Sequence, residues 1–215
     1  VDFACWCTYK YLNGGPGNIG GLFVHEKHKS DDPKALHGWW GHQVQNRFSL
    51  HKTFDASEGA AVMQLSNPSV VCMMSLAPSV RCMAAVGIDT LRAKSLKLTG
   101  YLEDLLRHFA IADRCLVRIT PEDPSQRGAM LTFYIKPNMI RPEVAEEENN
   151  NTSYENGTNL NNDADLLQRL LLKRGIMCDN RPPNIVRITA VPLYNSFEDV
   201  WKFVDTLRGI FVEDK

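Results

Sequence analysis

The sequence lacks a long apolar run, a strong excess of charge and any CxxC pair. Without a run of about 18 apolar residues it predicts no transmembrane helix, and hence no membrane partner. A net charge of −1 argues against a basic nucleic-acid-binding protein. The six scattered cysteines are typical of reduced thiols in a cytoplasmic protein. The histidine pair in His25–His28 lacks a nearby third ligand, so no metal site is expected.

The chain also lacks an N-terminal methionine and begins at Val1. It runs directly into the segment Val1–Cys7, which is apolar in both alternating registers. That pattern predicts a strand buried on both faces. The 215 residues suffice for one large or two small domains. We expect a chain that starts within a fold, with the strand separated from its neighbours in the sheet.

Hydrophobic periodicity predicts a mixed α and β organisation in the rest of the chain. Two helices are expected after Ser66–Pro68, another over Asp165–Arg174 with Gly175 as its stop, and a last helix capped by Ser196. The acidic, Asn-rich stretch 143–163 predicts a disordered insertion. Further strands are expected over Leu22–Val24, Cys115–Ile119, Met130–Ile135 and Ile185–Val191. The second helix carries an apolar stripe of Ile88, Leu91, Ser95, Leu98, Leu102, Leu105 and Phe109.

Lys10 is the first candidate for chemistry because it follows the apolar strand and precedes a Gly-rich turn. In open α/β sheets, ligand sites lie beyond the carboxyl ends of the strands. Partly desolvated surroundings would favour the neutral amine, which Schiff-base formation with an aldehyde cofactor requires. The alternative is a lysine that simply extends from the end of the strand into solvent.

The segments around Lys10 and further along the chain resemble the kynureninases, which are pyridoxal-phosphate (PLP) enzymes of the aspartate aminotransferase fold type I. The likeness spans nearly the whole chain apart from 143–163 and is strongest to the animal-type enzymes. The matching segments are Cys5–Gly17, Gly38–His42, Ser66–Pro68, Leu98–Leu102, Arg174–Asp179 and Arg187–Phe197.

The resemblance implies an α/β fold in which the end of a large cofactor domain, residues 1–75, precedes an α+β small C-terminal domain, residues 76–215. Lys10 matches the lysine that binds the cofactor covalently. Tyr9 matches a tyrosine that contacts the cofactor phosphate and transfers a proton. Trp39 and Asn67 match residues at the phosphate end of the cofactor, contributed across the interface of a homodimer.

The resemblance also assigns the substrate contacts. Arg187 matches the arginine that holds the substrate α-carboxylate, while Asn67 and Ser66 match residues near the aromatic ring of the substrate. The implied reaction is hydrolysis of L-kynurenine or 3-hydroxy-L-kynurenine to anthranilate or 3-hydroxyanthranilate and L-alanine. Its implied setting is tryptophan catabolism through the kynurenine pathway and NAD biosynthesis, in the cytoplasm.

Family members are longer than this chain, and the resemblance implies a C-terminal half. The aspartate that pairs with the cofactor's pyridine nitrogen would precede Val1, so we predict that the 215 residues alone are not an active enzyme. One alternative is another fold-type-I enzyme, a class V aminotransferase or a cysteine desulfurase; the Trp39–Trp40 pair and the Asn195–Phe197 end argue against it. The other is a non-catalytic fragment that acts only in dimerisation.

Overall fold

The computed structural model describes residues 1–28, 37–150 and 162–211. The chain divides into two compact units, Val1–Val86 and Gly87–Lys215. The division falls at Gly87, which lies between the first long helix and the second and has a φ of 85°. The sequence predicts a boundary after residue 75. That the two units are the end of a large domain and a small domain remains a prediction.

The first unit begins with an antiparallel pair of strands, β1 (Phe3–Cys7) and β2 (Gly20–Val24), in which Phe3 lies opposite Val24. Both strands agree with the sequence prediction. Burial of β1 on both faces is wrong, because Phe3 is 57% exposed and Trp6 47% exposed. In the described part of the chain β1 pairs only with β2, and a two-stranded sheet cannot cover both of its own faces.

Helix α1 (Val70–Val86) completes the first unit. Of its side chains only Met83 is buried, and apolar residues such as Val71 and Met74 are largely exposed. Within the described residues no single helix is both long and apolar enough to cross a membrane.

The second unit is built on a four-stranded antiparallel sheet in the order β3-β4-β6-β5. Strand β4 alternates buried and less buried residues, as its sequence pattern predicts. Strand β5 was not predicted. The four strands are β3 (Leu116–Arg118), β4 (Met130–Ile135), β5 (Asp179–Arg181) and β6 (Ile185–Thr189).

Three helices pack on this sheet: α2 (Ile88–His108), α4 (Asp163–Lys173) and α5 (Phe197–Phe211). The α2 stripe is buried from Leu91 to Leu105, whereas Ile88 at its start is 68% exposed. Ser196 caps α5 as predicted: its Oγ accepts a bond from the Asp199 backbone N–H at 3.1 Å, and Asp199 Oδ2 accepts from the Ser196 N–H at 2.8 Å. The apolar faces of the helices form one continuous core with the sheet.

The stretch 143–163, expected to be a disordered insertion, needs a correction at its start. A helix, α3 (Pro142–Asn150), occupies that part, and Val144 on its first turn is buried in the core of the second unit. Burial of that apolar residue outweighs the acidic composition that suggested disorder. Residues 151–161 of the stretch lie outside the described residues.

Candidate functional site

Lys10 lies in a tight, hydrogen-bonded turn that starts at the end of β1. The Gly14 N–H donates to Thr8 O and the Asn13 N–H donates to Lys10 O, both at 2.9 Å. The chain reverses through Asn13, whose φ of 54° is left-handed. Thr8 is buried within the turn, so the backbone that carries Lys10 is fixed by its neighbours on both sides.

Asn18, which was not predicted as a site residue, connects this turn to helix α1. Its Nδ2 lies 2.5 Å from Gly14 O and 2.7 Å from Ser75 Oγ on α1. Its Oδ1 accepts the Ile19 N–H at 2.8 Å. Ser75 Oγ also donates to Gly14 O, at 3.1 Å. One amide side chain thereby couples the lysine turn to a helix more than fifty residues away in sequence.

The side chains of Lys10 and Tyr9 project from the turn and are exposed. Lys10 Nζ lies 5.2 Å from the centre of the Tyr9 ring, which is within cation–π range. The expectation of partly desolvated surroundings for Lys10 is not met, because the described residues of its unit leave it open to solvent.

Trp39 and the pair Ser66–Asn67 come together through two glycines. A Cβ on Gly38 would lie 2.1 Å from the Leu65 Cα, and one on Gly41 would lie 2.2 Å from the Val62 carbonyl oxygen. Only glycine permits so close an approach, and the two contacts align the segments in opposite directions. Trp39 is 51% exposed, and Ser66 Oγ donates to Asn67 Oδ1 at 3.1 Å.

Arg47 holds the tryptophan segment in place, and it too was missed from the sequence. Its guanidinium lies 4.0 Å above the Trp40 ring and donates to Trp40 O at 2.6 Å and to His42 O at 3.1 Å. Trp39 in turn packs edge-on against Trp40, with ring centres 5.0 Å apart. These contacts orient the short turn that presents the Trp39 indole.

Arg187, the predicted carboxylate ligand, lies on β6 in the second unit and already binds a carboxylate. It pairs in register with Asp179 on β5. Its Nε donates to Asp179 Oδ2 at 2.5 Å, and its Nη2 donates to the same oxygen. Asp179 Oδ1 accepts from Arg181 Nη1 at 2.5 Å. Burial acts to raise the pKa of Asp179, but the hydrogen bonds from both arginines outweigh it and lower that pKa below its usual value.

Cys178, which precedes Asp179 in sequence, carries an unreactive thiol. Burial, reinforced by the Asp179 charge, raises the pKa of its thiol to about 11. At neutral pH the thiol is protonated and is a poor nucleophile. This arrangement gives no support to a sulfur-transfer role for Cys178.

A family profile described as "Kynureninase C-terminal domain" matches residues 138–207. The chain is 44% identical over 210 residues to the kynureninase of Myxococcus xanthus, covering 97% of this chain and 43% of the relative. It is 41% identical over 211 residues to that of Monosiga brevicollis, covering 97% and 40%. To human kynureninase it is 38% identical over 217 residues, covering 98% and 41%.

Solved structures agree in fold at low sequence identity. A cystine C–S lyase in complex with its product cysteine persulfide matches with a TM-score of 0.68 and 11% identity, over 98% of this chain and 47% of the lyase. The lyase also has a variant structure with glycine covalently linked to its PLP cofactor. A cysteine desulfurase from Thermococcus onnurineus NA1 matches with a TM-score of 0.61 and 15% identity, over 97% and 46%.

The expected fold class is thus confirmed as that of the fold-type-I PLP enzymes. The chain spans about two-fifths of the length of the curated relatives it matches. The matched regions extend over 97% to 98% of the residues of this chain. Over nearly its whole length, this chain is similar to part of the kynureninases.

Proposed function

We propose that the protein carrying this chain hydrolyses L-kynurenine or 3-hydroxy-L-kynurenine to anthranilate or 3-hydroxyanthranilate and L-alanine. The observation that carries the proposal is the identity of 38% to 44% to proteins named kynureninase over 97% to 98% of the chain. The braced turn at Lys10 and the carboxylate-binding fork of Arg187 support it.

Pyridoxal 5′-phosphate is the cofactor that fits these residues. Lys10 supplies an exposed amine for the cofactor's aldehyde, on a backbone fixed by the Thr8–Gly14 hydrogen bond. The Tyr9 hydroxyl and the Trp39 indole N–H are exposed donors of the kind that phosphate oxygens accept. Asn67 adds an exposed amide. When bound, the cofactor supplies an electron sink for bond breaking next to the substrate amine.

Each site residue then has its own role in the reaction. Lys10 Nζ acts as the base that takes the proton from the substrate Cα, and the phenol of Tyr9 returns a proton to the alanine-forming carbon. Water adds to the side-chain ketone before the Cβ–Cγ bond breaks. Arg187 binds the α-carboxylate in its planar fork and orients the scissile bond. Ser66 and Asn67 face the aromatic ring of the substrate.

We further propose that the protein is a cytoplasmic homodimer that acts in tryptophan catabolism and NAD biosynthesis. Trp39 and Asn67 would serve the cofactor of the partner subunit. Their exposure in this chain supports that assignment, since both side chains are free to contact another subunit. Sedimentation of the purified protein would give the mass of a dimer, and a monomer that retains full activity would contradict the shared site.

The proposal is tested on the protein that carries this chain, loaded with PLP. It should release anthranilate from L-kynurenine, followed by its fluorescence, and Lys10→Ala should abolish release while Lys52→Ala, at an exposed lysine, leaves it unchanged. Release of sulfide from cysteine, or of a keto acid, in place of anthranilate would identify one of the alternative fold-type-I activities and overturn the proposal.

A further inference from the structure

The Arg187 side chain offers a carboxylate two different edges, and among the residues that the structure describes Asp179 occupies one of them. Asp179 Oδ2 accepts from Nε and Nη2, which form the side edge of the guanidinium. The end-on edge, Nη1 with Nη2, has the same fork geometry and fits a second carboxylate. Asp179 is itself held on its other oxygen by Arg181.

The pairing of β5 with β6 fixes this arrangement. Asp179 and Arg187 face each other directly in the ladder, where side chains on neighbouring strands lie close together. On its other side, Arg187 is opposite Thr132 of β4, so it lies on an interior strand of the sheet. The position of Asp179 is therefore set by backbone hydrogen bonds rather than by a mobile loop.

We propose that Asp179 is a positioning residue, which holds the side edge of Arg187 so that the end-on edge faces the α-carboxylate of the substrate. This inference rests on the proposed function. Asp179 does not touch the substrate; it acts through Arg187. The bond fixes a long side chain in advance, so that less rotamer freedom is lost when the substrate binds.

The opposite role is that Asp179 competes with the substrate for Arg187, and the two roles predict opposite changes in KM. Removing a competitor, and one negative charge, would lower KM. Removing an orienting partner would raise it. The Arg187 side chain is 31% exposed and that of Asp179 is 43% exposed, so solvent screens their charges. A screened Asp179 carboxylate competes only weakly with the substrate, which favours the orienting role.

The test is steady-state kinetics on the PLP-loaded protein that carries this chain. Asp179→Asn should raise KM for L-kynurenine about tenfold with kcat changed less than about threefold. The substitution weakens the charge-assisted bond that orients Arg187, and Arg187 acts in substrate binding. Asp179→Glu, which keeps the carboxylate, should recover part of the loss. The control is Asp205→Asn, which removes a carboxylate from an exposed Arg208 pair in the same unit and should leave both constants unchanged.

Product binding separates carboxylate recognition from general damage. Calorimetry should show L-alanine binding weakened in Asp179→Asn, while L-alaninamide, which lacks the carboxylate, binds the variant and the original protein alike. An unchanged or lower KM in Asp179→Asn, in a protein that does cleave L-kynurenine, overturns the positioning role alone. A protein that does not cleave L-kynurenine overturns the proposed function, and the positioning role with it.

Discussion

The lysine turn depends on one amide, and Asn18→Ala tests that dependence. The substitution removes the bonds of Asn18 to Gly14 O and Ser75 Oγ and leaves the Ile19 N–H without its side-chain acceptor. At about 1 kcal/mol net for each bond, the free energy of opening the turn should fall by about 2–3 kcal/mol. Ser75 still donates to Gly14 O, which keeps the loss at the lower end of that range.

Hydrogen exchange measures this change directly at the Gly14 amide, which donates to Thr8 O. A loss of 2–3 kcal/mol should speed its exchange by about 30-fold to 150-fold, because exchange follows the population of the open turn. Asn46→Ala is the matched control: it removes one exposed bond to Asp55 and should leave the Gly14 amide unchanged. Exchange at the original rate in Asn18→Ala would refute the view that this amide braces Lys10.

Two further predictions concern the second unit. Glu103 is buried and accepts bonds from Arg118 and, at 2.7 Å, from Arg127, so Glu103→Gln should lower the free energy of unfolding in urea by about 3 kcal/mol. Glu122→Gln, at an exposed partner of Arg118, should cost less than about 1 kcal/mol, and equal losses would contradict a special role for burial. With a pKa of about 11, the Cys178 thiol should be alkylated far more slowly than the exposed Cys5 at pH 7.5, with a rate that rises steadily as pH approaches 11. Mass spectrometry of the alkylated peptides checks this, and early modification of Cys178 would contradict its raised pKa.

Periodicity predicted the elements that bury one face. The α2 stripe, the cap and buried face of α5, and strand β4 all follow from local pattern, because each forms its own amphipathic surface. The same reasoning failed for β1. Its apolar pattern indicates what could be buried, but burial also needs covering surfaces, and among the described strands only β2 pairs with β1.

Elements stabilised mainly by distant contacts escaped prediction. Strand β5 is only Asp179–Arg181, polar residues with low strand propensity, and it forms because β6 offers an edge to pair with. Helix α3 begins in an acidic stretch, and the burial of Val144 that anchors it depends on the tertiary fold.

The residues of the candidate site also include some that the sequence predicted and some that it did not. Trp39 and Arg187 were identified because each lies in a segment that resembles a known family, and Lys10 was identified first from its position between an apolar strand and a Gly-rich turn. Asn18 and Arg47 were not, since their roles arise only when the folded chain brings Gly14, Ser75 and the Trp40 carbonyl beside them. An asparagine in a glycine-rich loop was the one available signal, and it is also typical of an ordinary turn.

The central claim is that Lys10 is the residue that binds the cofactor. Borohydride reduction of the PLP-loaded protein, followed by proteolysis and mass spectrometry, tests it most directly. The account predicts a phosphopyridoxyl group on the peptide that contains Lys10, and its loss in Lys10→Ala. A phosphopyridoxyl group on a different lysine of a protein that cleaves L-kynurenine would contradict the account.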